Sequence, residues 1–210
     1  MDKKFAIFDM DGTLIDSMGF WKNLATEYLT ARGVTEIPAK ILERIKPMTM
    51  SESAALFQQE FGLTGDVEAE MNAMMDEHYR KDIPLKPGVR EYLENLHCQG
   101  VRMCVASATA EHLMESCLTR LDVRQYFEFL LSCETVGAGK RSPLVYQESA
   151  RRLGTVPGEI AVYEDALYAV QTAKAAGFHV VGVYDDSAAD SWQAIEQESD
   201  EVILNWEEAV

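Results

Sequence analysis

Short apolar runs alternate with segments of helical period along this chain. Residues 5–8, 101–106, 127–131, 160–163, 179–184 and 202–204 are brief, rich in branched and aromatic side chains, and bounded by turn formers. That pattern predicts strands. Between them, Val89, Tyr92, Leu93 and Leu96 recur at helical spacing. Leu113, Met114, Cys117, Leu118 and Leu121 do the same, as does the stretch 166–176 before Gly177. Strand and helix in strict alternation predict an α/β fold with a doubly wound parallel sheet. Right-handed crossovers then bring the C-terminal end of every strand to one edge.

The first connection departs from this rhythm. From Ser17 to Leu85 no strand pattern occurs, only helical stretches such as Trp21/Leu24/Tyr28 and Val67/Met71/Met74/Met75/His78. Gly33, Pro38, Pro47, Gly62 and Gly65 punctuate them, and Pro84 and Pro87-Gly88 mark the return. A connection this long is expected to be a folded unit rather than a loop. The expected organisation is therefore a core of residues 1–16 and 86–210 with an inserted α-helical domain at 17–85. Six of the ten methionines fall in the insert, either packing a small helical core or offering adaptable substrate contacts.

Charge narrows the partners. The 210 residues carry 35 acidic against 19 basic side chains, a net of −16. Nucleic acid and anionic membranes are poor partners for such a surface, and an anionic substrate needs local cationic help. Cys98, Cys104, Cys117 and Cys133 form no CxxC pair and read as reduced thiols of a cytoplasmic protein. No apolar run approaches the length of a membrane span, and the N-terminal residues do not read as a signal peptide.

Chemistry collects at the predicted strand ends. In FDMDGTLIDS, residues 8–17, the apolar run delivers Asp9 and Asp11 into a turn that Gly12 permits. Alternate strand residues share a face, so the two carboxylates stand roughly 6–7 Å apart. Their repulsion is about 2.5 kcal/mol at an effective dielectric of about 20. Asp16 and Ser17 suit either a helix N-cap or a direct role. Ser107 follows a strand, where its hydroxyl and the neighbouring N–H groups serve as an anion cradle or as a plain cap. Lys140, in GKRSP, is misplaced for stability near a helix start unless it points at an anion. This is not a GxxxxGK[ST] phosphate loop, since Glu134 stands at the first glycine. Glu164 and Asp165 close a further strand in VYEDA, a pair that alone reads more readily as a surface turn. Converging on one sheet edge, these acids suit Mg²⁺, which takes carboxylates and a substrate phosphate oxygen.

Taken in this order, the motifs resemble those of the haloacid dehalogenase superfamily, in the branch with a helical cap after the first strand. DxDGTLxDS matches at Asp9 to Ser17, and VYEDALYAVQTAKAAGF is similar to the last motif almost throughout. The resemblance implies a Rossmann-like core and a cap that closes over a small phosphorylated metabolite. It implies Asp9 as nucleophile and Asp11 as general acid/base, with Ser107 and Ala108 as phosphate ligands. Lys140 would join nucleophile to phosphate, and Asp9, the Asp11 backbone carbonyl, Glu164 and Asp165 would form the Mg²⁺ side.

Several positions depart from the pattern. Trp21 stands where the mutases of this branch carry a histidine, and Ala108-Thr109-Ala110 lacks their basic residue for a second phosphate. Ala166 and Ala169 replace a frequent Ser and Gly, and Arg141 replaces a frequent proline. The expected activity is a Mg²⁺-dependent phosphatase working through an aspartyl-phosphate, with a β-phosphoglucomutase-like sugar-phosphate mutase as the alternative. A binding protein on a dead catalytic fold is disfavoured, because every motif acid is intact.

Overall fold

The computed structural model describes residues 3–45, 48 and 50–209, so Pro47 lies outside the described residues. Contacts divide the chain into a core unit, residues 1–18 with 83–210, and a helical unit, Gly19–Asp82.

The core is built on a parallel sheet, six-stranded among the described residues: β1 (Phe5–Phe8), β2 (Arg102–Ser107), β3 (Phe127–Ser132), β4 (Ile160–Glu164), β5 (His179–Val183) and β6 (Glu201–Ile203). The spatial order is β3-β2-β1-β4-β5-β6. The chain winds outward from β1 to β3, crosses back to β4 and winds out the other way, so the switch point lies between β1 and β4. Ligand crevices in such sheets open at the carboxyl ends beside that point. In register, Phe8 pairs with both Val105 and Tyr163, which sets Asp9 beside Glu164.

The central strands β1 and β4 are apolar up to the last residue of β4, as strands covered on both faces are. Ala6, Ile7 and Phe8 have no exposed surface, and burying the last two stabilises by ~1.5–3 kcal/mol each. Phe8 stacks on Tyr163 with ring centroids 4.2 Å apart, and Trp206 joins the cluster at 5.9 Å from Tyr163. Trp206 also donates its indole N–H to the Thr13 carbonyl at 3.1 Å, tying the chain's last turn to the loop after β1. Gly88 (φ +84°) makes this packing possible, since a Cβ there would overlap the backbone of Trp206 and Glu207.

The two segments that leave and rejoin the core are paired. Ile15 bridges Leu85 antiparallel, the Asp16 N–H donates to the Pro84 carbonyl at 3.0 Å, and the Lys86 N–H to the Leu14 carbonyl at 3.0 Å.

Within the helical unit run α1 (Met18–Ala31), whose first residue belongs to the core unit, α2 (Ala39–Ile45), α3 (Met50–Phe61) and α4 (Val67–Lys81). Asp66 caps α4 by accepting from the Ala69 N–H at 3.0 Å. Leu24, Tyr28, Leu29, Phe57, Met71, Met75 and Tyr79 are buried in its interior. Two of the insert's methionines thus pack its core. Tyr28 donates to Glu70 at 2.5 Å, and His78 joins α4 to α1 through Glu27 (3.0 Å) while its other ring nitrogen bonds Asp82 at the end of α4 (2.8 Å).

The remaining helices belong to the core: α5 (Val89–Cys98), α6 (Glu111–Arg120), α7 (Cys133–Val136), α8 (Leu144–Leu153), α9 (Leu167–Ala175) and α10 (Trp192–Glu198). Among the described residues no helix is long and apolar enough to cross a membrane. All four cysteines are free, and only Cys98 is exposed.

Candidate active site

Each acid sits where a buried strand runs out. Asp9 follows β1, and its N–H still donates to the Tyr163 carbonyl of β4 at 3.0 Å, so the ladder fixes its backbone. Glu164 is the last residue of β4 and Asp165 the next. The three carboxylates offer oxygens within 4.8 Å of one another, all buried. Gly12 lets Asp165 in: its φ is +76°, and a Cβ there would collide with the Asp165 carboxylate.

Lys140 lies in the turn between α7 and α8, four residues before α8, with its side chain 4% exposed. Its ammonium contacts Asp9 Oδ1 and, at 2.7 Å, Glu164 Oε1. The cation therefore points at anions, which accounts for a lysine upstream of a helix. Tyr146, on the inner face of α8, donates its hydroxyl to the same Oε1 at 2.7 Å. Thr13 donates to Asp165 Oδ1 at 3.0 Å. Glu164 Oε2 is buried with no hydrogen-bond partner among the described residues.

One ammonium faces three buried carboxylates, so two negative charges would stand uncompensated if all three were ionised. Burial is the largest force on each group. It raises Asp9 above the usual carboxylate range, with Asp11 adding to the effect and Lys140 opposing it. Burial lifts Glu164 to about 8 and Asp165 to about 7, Lys140 opposing both. Burial works against the charge on Lys140, but Asp9 and Glu164 outweigh it and hold that pKa well above normal. Burial and the neighbouring Glu164 charge keep the proton on Tyr146. A site this acidic, with an all-oxygen donor set and an orphaned carboxylate oxygen, fits a small hard cation such as Mg²⁺.

The other expected residues border this centre. Asp11 is half-buried and accepts a hydrogen bond from the Thr109 hydroxyl at 2.6 Å. Ser107, the last residue of β2, is buried, and its Oγ accepts from the Thr109 N–H at 3.2 Å. It therefore shapes a turn and does not cap α6, whose N-cap is Ala110. Ala108 is exposed beside it. The capping role open to Ser17 is not seen: its hydroxyl is buried without a hydrogen-bond partner among the described residues. Arg141 has its guanidinium 4.9 Å above the Tyr168 ring, which gives this departure from proline a physical reason.

Tyr146, Thr13 and Thr109 hold the site yet do not stand out from sequence alone. For Tyr146 a signal exists: Val145, Tyr146, Ser149, Ala150 and Leu153 are the buried residues of α8. That spacing turns a hydroxyl inward six residues after Lys140.

The family model for haloacid dehalogenase-like hydrolases matches residues 6–183. The chain belongs to that family. Hexitol phosphatase B of Escherichia coli (strain K12) is 32% identical over 176 residues, covering 81% of this chain and 79% of that protein. A phosphorylated carbohydrates phosphatase of Thermotoga maritima is 29% identical over 178 residues, covering 81% and 80%. Among solved structures, a Thermotoga maritima protein provisionally assigned as a β-phosphoglucomutase superposes with a TM-score of 0.82. It is 24% identical, over 98% of this chain and 95% of that one. This last likeness is one of fold.

Proposed function

We infer that the protein is a Mg²⁺-dependent phosphatase acting on a small phosphorylated metabolite through an aspartyl-phosphate. The observation that carries this is the pairing of Lys140 with both Asp9 and Glu164 at a buried strand end, with Asp11 two residues after Asp9. Asp9 Oδ attacks phosphorus, the ester P–O bond breaks, and Asp11 gives its proton to the departing alcohol. Asp11, now a carboxylate, takes a proton from water as that water attacks the phosphoryl-aspartate, releasing phosphate and restoring Asp9. Lys140 steadies the charge of the attacking carboxylate and of the phosphoryl group, while Ser107 and the Ala108 N–H hold the phosphoryl oxygens. Asp9, Glu164, Asp165 and the Asp11 carbonyl would hold Mg²⁺. When bound, the metal offsets charge on the transferring group and on the acids themselves.

The named activities of the curated relatives favour a phosphorylated polyol or sugar as substrate. We assign substrate choice to the inserted helical domain, drawn at residues 17–85. A cytoplasmic location is supported by the four free thiols.

The mutase is the second reading, raised by the activity named for the Thermotoga maritima structure, with which the likeness is one of fold alone. Against it, Trp21 carries only a donor, which is already given to the Tyr79 hydroxyl at 3.1 Å, and an indole cannot shuttle a proton. Ala110 supplies no cation for a second phosphate. Purified protein with Mg²⁺, β-glucose 1-phosphate and a trace of the 1,6-bisphosphate tests the choice, beside a panel of polyol and sugar phosphates. Phosphate release is expected to dominate. Glucose 6-phosphate formation that far outpaces phosphate release makes the protein a mutase, and no release from any panel member removes the phosphatase reading.

A further inference from the structure

The two oxygens of Glu164 live in different surroundings. Oε1 accepts from the Lys140 ammonium and from the Tyr146 hydroxyl, each at 2.7 Å, while Oε2 is buried with no partner among the described residues, in a carboxylate that stands within 4.8 Å of Asp9 and Asp165. Of the two donors, Lys140 is a poor guide to orientation. Its three protons rotate freely and its charge is shared with Asp9. Tyr146 is rigid. Its ring has no exposed surface, packs edge-on to Phe178 with centroids 6.0 Å apart, and is carried on the inner face of α8. A fixed hydroxyl with one proton selects one oxygen and one carboxylate plane.

We propose that Tyr146 is a positioning residue that restricts Glu164 to ligation through Oε2 alone, and so sets the preference of the site for Mg²⁺ over Ca²⁺. The inference rests on the reading that the cation sits among Asp9, Glu164 and Asp165. Mg²⁺ requires a tight octahedron with few protein oxygens, whereas Ca²⁺ accepts longer bonds and readily takes both oxygens of a carboxylate. Turning Glu164 to offer Oε1 to a cation strips the Tyr146 hydroxyl of its acceptor in a site with no water-facing alternative. That cost falls on the larger ion alone. Partners of this kind commonly change metal affinity by about 10–100-fold when removed.

The test uses Tyr146→Phe, which keeps the ring and its packing and leaves Glu164 paired with Lys140. Mn²⁺ is titrated into metal-free protein and followed by electron paramagnetic resonance, then displaced with Mg²⁺ and with Ca²⁺. The expected result is a loss of Mg²⁺ preference over Ca²⁺ by roughly tenfold, with circular dichroism unchanged. Tyr92→Phe removes a hydroxyl from the Tyr92–Tyr163 pair (2.9 Å) and is expected to leave the preference alone. An unchanged preference in Tyr146→Phe overturns the proposal, as does an equal shift in Tyr92→Phe. If Tyr146→Phe does not fold, Tyr146→Leu is read by the same ratio. Wild-type protein that binds neither Mn²⁺ nor Mg²⁺ overturns the reading of the site, and this inference with it.

Discussion

Lys140→Met should destabilise the metal-free protein by an amount that depends on pH in a defined direction. The side chains of Lys140, Asp9 and Glu164 are 4%, 9% and 1% exposed, so neither ion pair is relieved by solvent. Methionine fills a similar volume but leaves three neighbouring carboxylates without a cation. Breaking a buried pair by deleting one partner costs about 3–5 kcal/mol, which lowers Tm by roughly 6–20 °C in a chain of this size. The carboxylates can escape the penalty by keeping protons. In the wild type the folded pKa values of Glu164 and Asp165 already lie near 8 and 7, above their ordinary values. Their contribution to stability is therefore complete below the ordinary carboxylate range and is lost as pH rises through those raised values. Removing Lys140 raises them further, so the gap between variant and wild type should be widest at about pH 8 and narrow towards about pH 5. A fixed, saturating Mg²⁺ concentration should close part of the gap, because the acids left without Lys140 bind the cation more tightly and each tenfold in Kd adds about 1.4 kcal/mol to the variant. Differential scanning calorimetry of chelated protein across that range gives the answer. A variant that melts within about 2 °C of wild type at the alkaline end, or a gap that widens towards acid, refutes the electrostatic account.

Three further outcomes are expected. Asp9→Asn abolishes phosphate release while Tm holds or rises, because the amide cannot form the acyl phosphate and one charge leaves an over-acidic cluster; substantial residual turnover would move the nucleophile elsewhere. EDTA removes activity and Mg²⁺ restores it, whereas Ca²⁺ inhibits by letting carboxylates bind through both oxygens; activity that survives chelation contradicts the assignment of Glu164 and Asp165. Burial disfavours charged His78, yet its bonds to Asp82 and Glu27 outweigh that and raise its pKa. Its contribution is thus full below the ordinary histidine range and fades as pH rises through the raised value. Urea melts of the wild type should weaken over that interval more than those of His78→Gln, and parallel profiles would remove His78 from the account.

Strands were the most legible part of the chain, because a strand buried on both faces must be a continuous apolar run. Phe5–Phe8 matches β1 residue for residue, and the other strands differ from expectation by one residue or so at their ends. Those shifts matter at Ser107 and Glu164. Each is the polar last residue of its strand, where ladder hydrogen bonds continue past the end of the apolar pattern. The short helices α7 and α10 escaped the pattern, being too brief for a helical period to develop. Motif order placed Asp9, Asp11, Ser107, Lys140, Glu164 and Asp165 at one sheet edge. It said nothing of Tyr146, Thr13 or Thr109, whose roles depend on distances set by tertiary packing. Trp206 is the clearest such case, reaching across 193 positions of sequence to the Thr13 carbonyl.

The paired segments at Leu14–Asp16 and Pro84–Lys86 carry an evolutionary consequence. An insertion whose two ends are hydrogen-bonded to each other demands no stretch of the host and breaks none of its strands. The closure entropy of such a loop grows only slowly with its length, so helices can be added, lost or exchanged there at little cost to the sheet. One set of strand-end carboxylates can in this way be handed from lineage to lineage while the excursion between those ends is rewritten.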